Sequence, residues 1–340
     1  MAHQFLVKDI AFQAGLSTAT VDRVLNERPG VRHQTAARVK AAIRELEKQQ
    51  AGTEVQGRKF AIDVVMEAPE RFTDAVRQAL EGEAATFVPT IFRCRFHFAE
   101  TMRPQEIAQL LDRIRLRGTD GVVLKAPDVP EVTGAVARLE SAGIAVVTLV
   151  TDLPHSARTA YAGADNRAAG ETAAYLIGER LSGQPATVLV TISSSRFRGE
   201  EEREIGFRRT LREHYPLIAV VEISEGYGKN EETGALALDA LIRHSEINAV
   251  YSIGGGNRAV LAAFRQLGRT CTLFVAHDLD KDNLELLKGG KVHFVLHHDL
   301  KTDARTAFRA IMERRGALAA PTGRHLSAVE VITPYNLPRI

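Results

Sequence analysis

The chain has 340 residues, of which 45% are hydrophobic and 25% are charged, and it contains no tryptophan. This is the composition of an ordinary globular protein, and the length predicts two or three domains. The sequence has no apolar run long enough to span a membrane and no secretory signal at its N-terminus, so we expect a cytoplasmic protein. Its two cysteines lack metal-ligand spacing, which argues against a disulfide framework and a zinc ribbon.

The small positive charge of the chain is concentrated at its N-terminus. Residues 1–50 contain eight Lys and Arg against five Asp and Glu, whereas the remaining residues contain 36 against 37. A nucleic-acid-binding domain carries a positive excess of this kind.

The first 46 residues predict three short helices. Val7–Ala14 forms an amphipathic helix that Gly15 ends, because glycine readily adopts the left-handed conformation that follows a helix. Ser17 is placed to cap a second helix, and a third helix follows Pro29 and Gly30. The predicted inner faces consist of small and aliphatic residues, which are Ile10, Ala11, Ala14, Val21, Val24, Leu25, Ala36, Val39, Ile43 and Leu46.

The other face of the second helix is polar or small, and it carries Thr18, Ala19, Asp22, Arg23 and Asn26. A helix fits the DNA major groove only if its outer residues are short or are extended hydrogen-bond donors. Three helices with a glycine turn between the first two therefore suit a helix-turn-helix. The same pattern also fits a three-helix capping bundle with a solvated face.

From Gly57 onward, short β-branched runs alternate with helical patterns. Such runs are typical of strands covered on both faces, and the helices between them indicate βαβ crossovers. We therefore predict a parallel α/β architecture, in which two lobes with a cleft are favoured over one barrel, and a loop leading into a helix over residues 161–170. The eight predicted strands are Phe60–Met66, Gly121–Lys125, Ile144–Val150, Thr187–Ile192, Ala219–Ile223, Ala249–Ile253, Thr272–Ala276 and Val292–Leu296.

Three strings stand out near the N-terminus, and they are Asp9-Ile10-Ala11, Ala14-Gly15-Leu16-Ser17 and Thr20-Val21-Asp22-Arg23-Val24-Leu25-Asn26. Together they closely resemble the DNA-binding head of the lactose-repressor (LacI/GalR) family. The resemblance implies that Thr18 and Ala19 read bases at the start of the recognition helix and that Arg23 is a third reader. It also implies that Ser17 and Asn26 steady the head on DNA phosphates.

Two features depart from the family pattern. Asp22 stands where the family usually has serine, and a carboxylate beside DNA must accept from a cytosine amine or face away from the phosphates. The stretch after Leu46, which reads EKQQAG, lacks the leucine that family members insert into the minor groove from a hinge helix. Residues 47–58 are predicted to form a linker, and the presence of an inserting hinge helix stays open.

The body, roughly residues 60–335, resembles the periplasmic sugar-binding-protein fold, of the ribose-binding subtype, that this family joins to its head. The resemblance implies that Arg203 is a ligand arginine, that Asp278 is a ligand aspartate and that His298 closes the pocket. It also implies that Tyr161 and Tyr227 pack on a sugar. An arginine and an aspartate suit a polyhydroxylated ligand, since each can bind adjacent hydroxyl groups bidentately.

Other pocket positions differ from that pattern. Val150 holds the family's second ligand-aspartate position, and Asp152 follows two residues later. Asn257 comes directly after a glycine run that holds the family's asparagine position. The positions that follow the first strand hold Glu67, Arg71 and Phe72. This glutamate and arginine would favour an unusual or charged ligand.

Simpler explanations exist for some of these residues. Arg203 lies in a charged run and could begin a solvated helix, and Asp278 could cap the helix that follows it. His277 and His297 resemble metal ligands, but no helical histidine pair accompanies them, so we predict no metal and no cofactor. The serine and glycine runs lack the spacing of a hydrolase elbow or a dinucleotide loop.

The predicted fold is an α-helical helix-turn-helix head plus an α/β two-lobed periplasmic-binding-protein-like domain with parallel sheets. The head spans residues 1–50, a linker spans 51–59, and the body spans 60–340. Within the body, lobe 1 is predicted at about 60–163 plus 299–327, and lobe 2 at about 164–298 plus 328–340.

The expected function is that of a transcriptional repressor that is not an enzyme. Its expected partners are double-stranded operator DNA with a pseudo-palindromic sequence, a small sugar or polyol-like effector, and further copies of the chain in a homodimer or tetramer, without a membrane. The alternatives are a sugar-binding transport component and an α/β sugar-processing enzyme.

Overall fold

The computed structural model describes residues 5–26, 28, 31–54, 58–181, 183–319 and 326–338. Two compact units divide the chain: one comprises residues 1–59 together with 88–91, and the other, the body, comprises 60–87 and 92–340. None of the described helices is both long enough and apolar enough to span a membrane.

The head consists of three helices, which are α1 (Val7–Ala14), α2 (Thr18–Leu25) and α3 (His33–Glu54). Gly15 has φ 61° and ends α1, and the Ser17 side chain caps α2, so both predicted helix boundaries are confirmed. The centre of the head is formed by Ile10, Ala11, Val21 and Val39. The predicted role of Pro29 and Gly30 lies outside the described residues.

Helix α3 differs from the predicted linker, because it continues past Leu46 to Glu54. The stretch is rich in Glu, Lys, Gln and Ala, which all have high helix propensity. The lack of large apolar residues in this stretch favoured a linker in the sequence, although residues of high helix propensity can form a helix without them. Residues 55–57 lie outside the described part of the chain.

Among its described residues, the body contains two sheets, one of five strands and one of six. Their strands are β1 (Lys59–Glu67), β2 (Ile91–Ala99), β3 (Gly121–Lys125), β4 (Ala145–Leu149), β5 (Ala160–Ala162), β6 (Ala186–Thr191), β7 (Ile218–Ile223), β8 (Ile247–Ser252), β9 (Leu273–His277), β10 (Phe294–His297) and β11 (Glu330–Ile332). The strand orders are β2-β1-β3-β4-β5 and β11-β10-β9-β8-β6-β7. β1, β3, β4 and β5 are parallel, as are β6 to β10, whereas β11 runs antiparallel to β10.

The helices of the body are α4 (Glu70–Ala84), α5 (Pro104–Arg117), α6 (Pro130–Ser141), α7 (Asn166–Leu181), α8 (Arg198–His214), α9 (Asn230–Arg243), α10 (Asn257–Gln266), α11 (Lys281–Lys288) and α12 (Leu300–Arg314). Helices α4, α5, α6 and α12 belong with the first sheet, and this group is called the first lobe. Helices α7 and α8 cover one face of the second sheet and α9 to α11 the other, which together form the second lobe.

Strands β2, β5 and β11 were not predicted, and all three lie at sheet edges. β2 places charged or polar residues between its aromatic ones, and β5 and β11 have only three residues each. A strand at the edge of a sheet needs no continuous apolar run, so a pattern of such runs does not identify these segments as strands. The loop predicted over residues 161–170 is wrong at its start, which belongs to β5, but the helix that it was predicted to lead into is confirmed as α7, which begins at Asn166.

Helices α7 and α8 pack with their backbones in direct contact. A Cβ atom added to Gly170 of α7 would collide with the main-chain oxygen of Arg203, and one added to Gly206 of α8 would collide with that of Arg167. Glycine at these two positions therefore sets how closely α8 approaches α7, and it fixes the depth at which Arg203 lies.

We predict that Gly170→Ala lowers the free energy of unfolding by about 3 kcal/mol or more, because the added methyl group would have to displace a helix backbone. Urea unfolding followed by circular dichroism measures this change.

Gly82→Ala provides the matched control, since an added Cβ at this helical position in α4 meets no atom within 4 Å. It should stabilise the protein by up to about 1 kcal/mol. Equal stability of Gly170→Ala and wild type would contradict the close packing of the two helices.

Candidate functional site

The exposed face of α2 carries the predicted base readers. The Ser17 Oγ accepts a hydrogen bond from the Thr20 N–H at 3.2 Å, which caps the helix. Thr18, Ala19 and Arg23 are exposed. The Arg23 side chain makes no hydrogen bond or ion pair with any residue in the described ranges. These three side chains are therefore available to an external partner.

Asp22 is held by two neighbours at the end of α2. The Asn26 Nδ2 donates to Asp22 Oδ1 at 2.8 Å and to the Asp22 main-chain oxygen at 2.9 Å. Arg28 Nη1 lies 3.3 Å from Asp22 Oδ2. The amide of Asn26, predicted to contact phosphate, is thus engaged within the helix. Arg28, which lies beyond the helix end, is a cation of this surface that the sequence reasoning missed.

In the body, loops at the carboxyl ends of strands from both sheets surround a cavity of about 70 Å³. Parallel sheets place their strand ends at one edge, which is where such folds bind ligands. Six of the ten predicted ligand residues line the cavity, and they are Glu67, Arg71, Phe72, Arg203, Tyr227 and Asp278.

Backbone strain is concentrated around this cavity. Three of its lining residues other than glycine have positive φ, namely Val150 at 66°, Tyr227 at 50° and Asp278 at 63°. Residues with a Cβ rarely adopt this region, and a β-branched residue such as valine does so at high energy. Strained backbone of this kind is typical of functional sites.

Arg203 does not begin a solvated helix, and Asp278 does not cap the helix that follows it. Arg203 is only 5% exposed, and its Nε donates to Asn166 Oδ1 at 2.8 Å, so it is not part of a solvated helix start. The residue that caps α11 is Asp280, whose side chain accepts from the Asn283 N–H at 2.8 Å. Asp278 is therefore left to face the cavity.

His298 lies behind Asp278 and does not line the cavity. Its Nδ1 is 2.6 Å from Asp303 Oδ2 and its Nε2 is 3.4 Å from Asp278 Oδ1. Burial alone would lower the pKa of His298, but the negative charges of Asp278 and Asp303, together with the hydrogen bond to Asp303, outweigh burial and raise it to about 9. Burial also opposes ionisation of Asp278, yet His298 and Arg203 hold its pKa well below the usual range. We infer that His298 is a protonated residue that positions Asp278.

Three other predicted ligand residues also lie outside the cavity lining. Asp152 forms a bidentate ion pair with Arg158, six residues further along the chain. The Tyr161 hydroxyl donates to the Ala164 main-chain oxygen at 2.9 Å. Asn257 donates from Nδ2 to Asn283 Oδ1 at 2.6 Å. Each of these polar groups is occupied by a structural partner.

Several lining residues were missed, among them Lys125, Phe197, Glu200, Asp280 and Asn283. Lys125 ends a predicted strand, so its position at a carboxyl end was a usable signal. Asn283 donates to the main-chain oxygens of His277 and Asp278 at 2.8 and 2.7 Å, a role that depends on tertiary placement.

Among the described residues, three ion pairs join the lobes around the cavity: Glu100 pairs with Lys229 at 3.6 Å, and the other two involve predicted ligand residues. Glu67 Oε1 of the first lobe lies 2.6 Å from Arg196 Nη2 of the second. Arg71 Nε lies 2.9 Å from Asp280 Oδ2, and its Nη1 donates to the Gly228 oxygen at 3.0 Å. The charges of Glu67 and Arg71, predicted to favour a charged ligand, are therefore neutralised between the lobes. Burial raises the pKa of Glu67, although Arg196 and Lys125 oppose this.

No group of three or more His, Cys, Asp or Glu side chains in the described ranges is arranged to hold a metal ion.

Comparison with known families gives two matches. Residues 62–316 match the model of a periplasmic binding protein domain, and residues 6–47 match that of bacterial regulatory proteins of the lacI family. A search of curated protein sequences found no match for this chain.

Solved structures of sugar-binding proteins and regulators share the fold of the body. GanP, a glucose-galactose binding protein from Geobacillus stearothermophilus, has a TM-score of 0.74 and 21% identity, over 83% of this chain and 100% of its own. A solute-binding protein of an ABC transporter from Burkholderia graminis, in complex with D-arabinose, has a TM-score of 0.72 and 21% identity, over 82% and 97%. A candidate LacI transcriptional regulator from Bacteroides fragilis has a TM-score of 0.69 and 18% identity, over 82% and 98%.

We predict that the stability of the body depends on the charge of His298. Its pKa is about 9 in the folded protein and about 6.5 when unfolded. A raised pKa means that the contribution is fully present below pH 6.5 and is lost as the pH rises through 9. Between pH 6.5 and 10, wild type should lose about 3 kcal/mol more unfolding free energy than His298→Gln in urea titrations.

His244→Gln serves as the control, because its side chain is 41% exposed on the surface. This variant should follow the pH dependence of wild type. Parallel curves for wild type and His298→Gln would contradict a protonated His298.

Proposed function

Since the chain belongs to the family of periplasmic binding protein domains and carries a lacI-family head, we propose that it is a transcriptional regulator that binds operator DNA and senses a small carbohydrate-like effector. The observation that carries the proposal is the presence, in one chain, of an exposed recognition helix and a two-lobed body with a polar cavity. GanP, a binding protein, is matched over its whole length by part of this chain. The additional head favours regulation over transport.

In the proposed DNA complex, α2 enters the major groove. Thr18 and Ala19 at its start allow a close approach to the bases, and Arg23 donates to a base edge, where a guanidinium recognises guanine best. Ser17 contacts a phosphate. Asp22 contributes to DNA binding by holding Asn26 and Arg28 in place, and it does not act as a free carboxylate.

A single head offers few contacts, so tight binding requires a homodimer on a pseudo-palindromic operator. We propose that the regulator is a repressor and that it acts in the cytoplasm, where the DNA is.

The proposed effector binds in the cavity through Arg203 and Asp278, with Phe72 and Tyr227 packing on its apolar faces. An effector shifts the arrangement of the lobes only by its differential affinity for one arrangement. The difference in effector affinity between the two lobe arrangements is then the free energy that changes the affinity for DNA.

We predict that Arg23→Ala reduces discrimination between the selected operator and random DNA by about tenfold or more, because a lost bidentate base contact costs roughly 1–3 kcal/mol. Binding-site selection from a random duplex pool, followed by gel-shift titration, measures this. Effector binding by the variant should match that of wild type.

Arg265→Ala, which removes an exposed arginine from α10, is the control and should leave discrimination unchanged. If Arg23→Ala discriminates as wild type does, the recognition-helix assignment fails. If none of a panel of sugars, polyols and their acids changes operator affinity, the sensing function fails.

A further inference from the structure

Two buried cations line the cavity without an ion-pair partner. Lys125 is 9% exposed and Arg203 is 5% exposed. The Lys125 Nζ donates to the Glu67 main-chain oxygen at 2.9 Å and lies 3.9 Å from the centre of the Phe197 ring. Within the described part of the chain, no carboxylate oxygen lies within 4.0 Å of the nitrogens of either cation.

The carboxylates around the cavity are engaged elsewhere. Glu67 pairs with Arg196, Asp280 with Arg71 and Glu100 with Lys229, whereas Asp278 faces the cavity with His298 3.4 Å behind it. Glu200 accepts hydrogen bonds from the Ser193 N–H at 2.7 Å and from its hydroxyl at 2.5 Å. The charge of Glu200 raises the pKa of Lys125, but its carboxylate oxygens lie more than 4.0 Å from the Lys125 Nζ. The two cations are therefore the groups of this cavity that most lack a counter-charge.

The two cations also repel each other. Burial lowers the pKa of Lys125, the charges of Glu200, Glu67 and Asp278 oppose this, and the charge of Arg203 lowers it further by a smaller amount. A buried ammonium without a partner costs free energy, and a second cation in the same cavity adds to that cost. An anion placed beside both would remove the repulsion and gain two charge-assisted hydrogen bonds.

We infer that the effector is a small polyhydroxylated molecule with an anionic group, and that Lys125 and Arg203 bind that group. The inference rests on the proposed sensing function and names the class of effector. Asp278 then remains for the hydroxyl groups. Lys125 is the residue that distinguishes an acid from its neutral counterpart, because Arg203 can also donate hydrogen bonds to hydroxyl groups.

The test is calorimetric titration of the full chain with matched neutral and anionic compounds. The probes are D-glucose, D-glucuronate and D-glucose 6-phosphate, D-galactose and D-galacturonate, D-glucitol and D-gluconate, and D-arabinose and D-arabinonate. At least one anionic compound should bind about tenfold or more tightly than its neutral counterpart. The carboxylate and phosphate arms identify which anionic group fits.

Lys125→Met, which keeps the length of the side chain and removes its charge, should weaken binding of that anion about tenfold or more and change binding of the neutral counterpart little. Lys288→Met is the control, since Lys288 is exposed on α11 and does not line the cavity. It should bind both compounds as wild type does.

Tighter binding of the neutral compounds, or equal weakening of both kinds by Lys125→Met, would overturn the inference and leave the sensing function intact. Absence of binding by every probe would contradict the sensing function itself. In urea unfolding without added compounds, Lys125→Met should be at least as stable as wild type. A marked loss of stability would assign Lys125 a structural role and would also overturn the inference.

Discussion

The cavity of the body depends on the interlobe ion pairs, Glu67 with Arg196 and Arg71 with Asp280. Each pair joins a residue near the end of β1 to a residue of the second lobe, so it exists only while the lobes are closed. A molecule that touches both lobes stabilises the same arrangement, and its free energy adds to that of the pairs. The pairs also engage four of the charged side chains around the cavity, whereas Arg203 and Lys125 line it without an ion-pair partner among the described residues.

The packing of α7 against α8 is a second constraint, and it fixes the position of Arg203. The glycine contacts between α7 and α8 bring the backbone of α8 against α7, and Arg203 lies at that contact. Its guanidinium is then held by Asn166 at the start of α7. The direction of this side chain is thus fixed by helix packing, which is stiffer than a loop would be.

The sequence predicted the parts of the fold whose burial is periodic. Helices α1 and α2 and the interior strands have apolar residues at the spacing their burial requires, whereas the missed strands lie at sheet edges where such spacing is not needed. Arg203 and Asp278 could be placed from the family resemblance. The partners of Glu67 and Arg71 could not, since Arg196 is 129 residues from Glu67 and only the fold brings them together. The position of Asp152 outside the cavity lining could not be predicted either, because it depends on the ion pair with Arg158 in the same loop.

The positive φ angles of Val150, Tyr227 and Asp278 bear on how this protein can change. Each such residue carries strain of roughly 1–3 kcal/mol, which the surrounding structure must offset. Replacement by glycine would relieve the strain and remove a side chain that faces the cavity. Selection for heat resistance alone would therefore favour glycine at these three positions. Thermostable descendants of this chain would be expected to lose the side chains that face the cavity, and with them ligand selectivity.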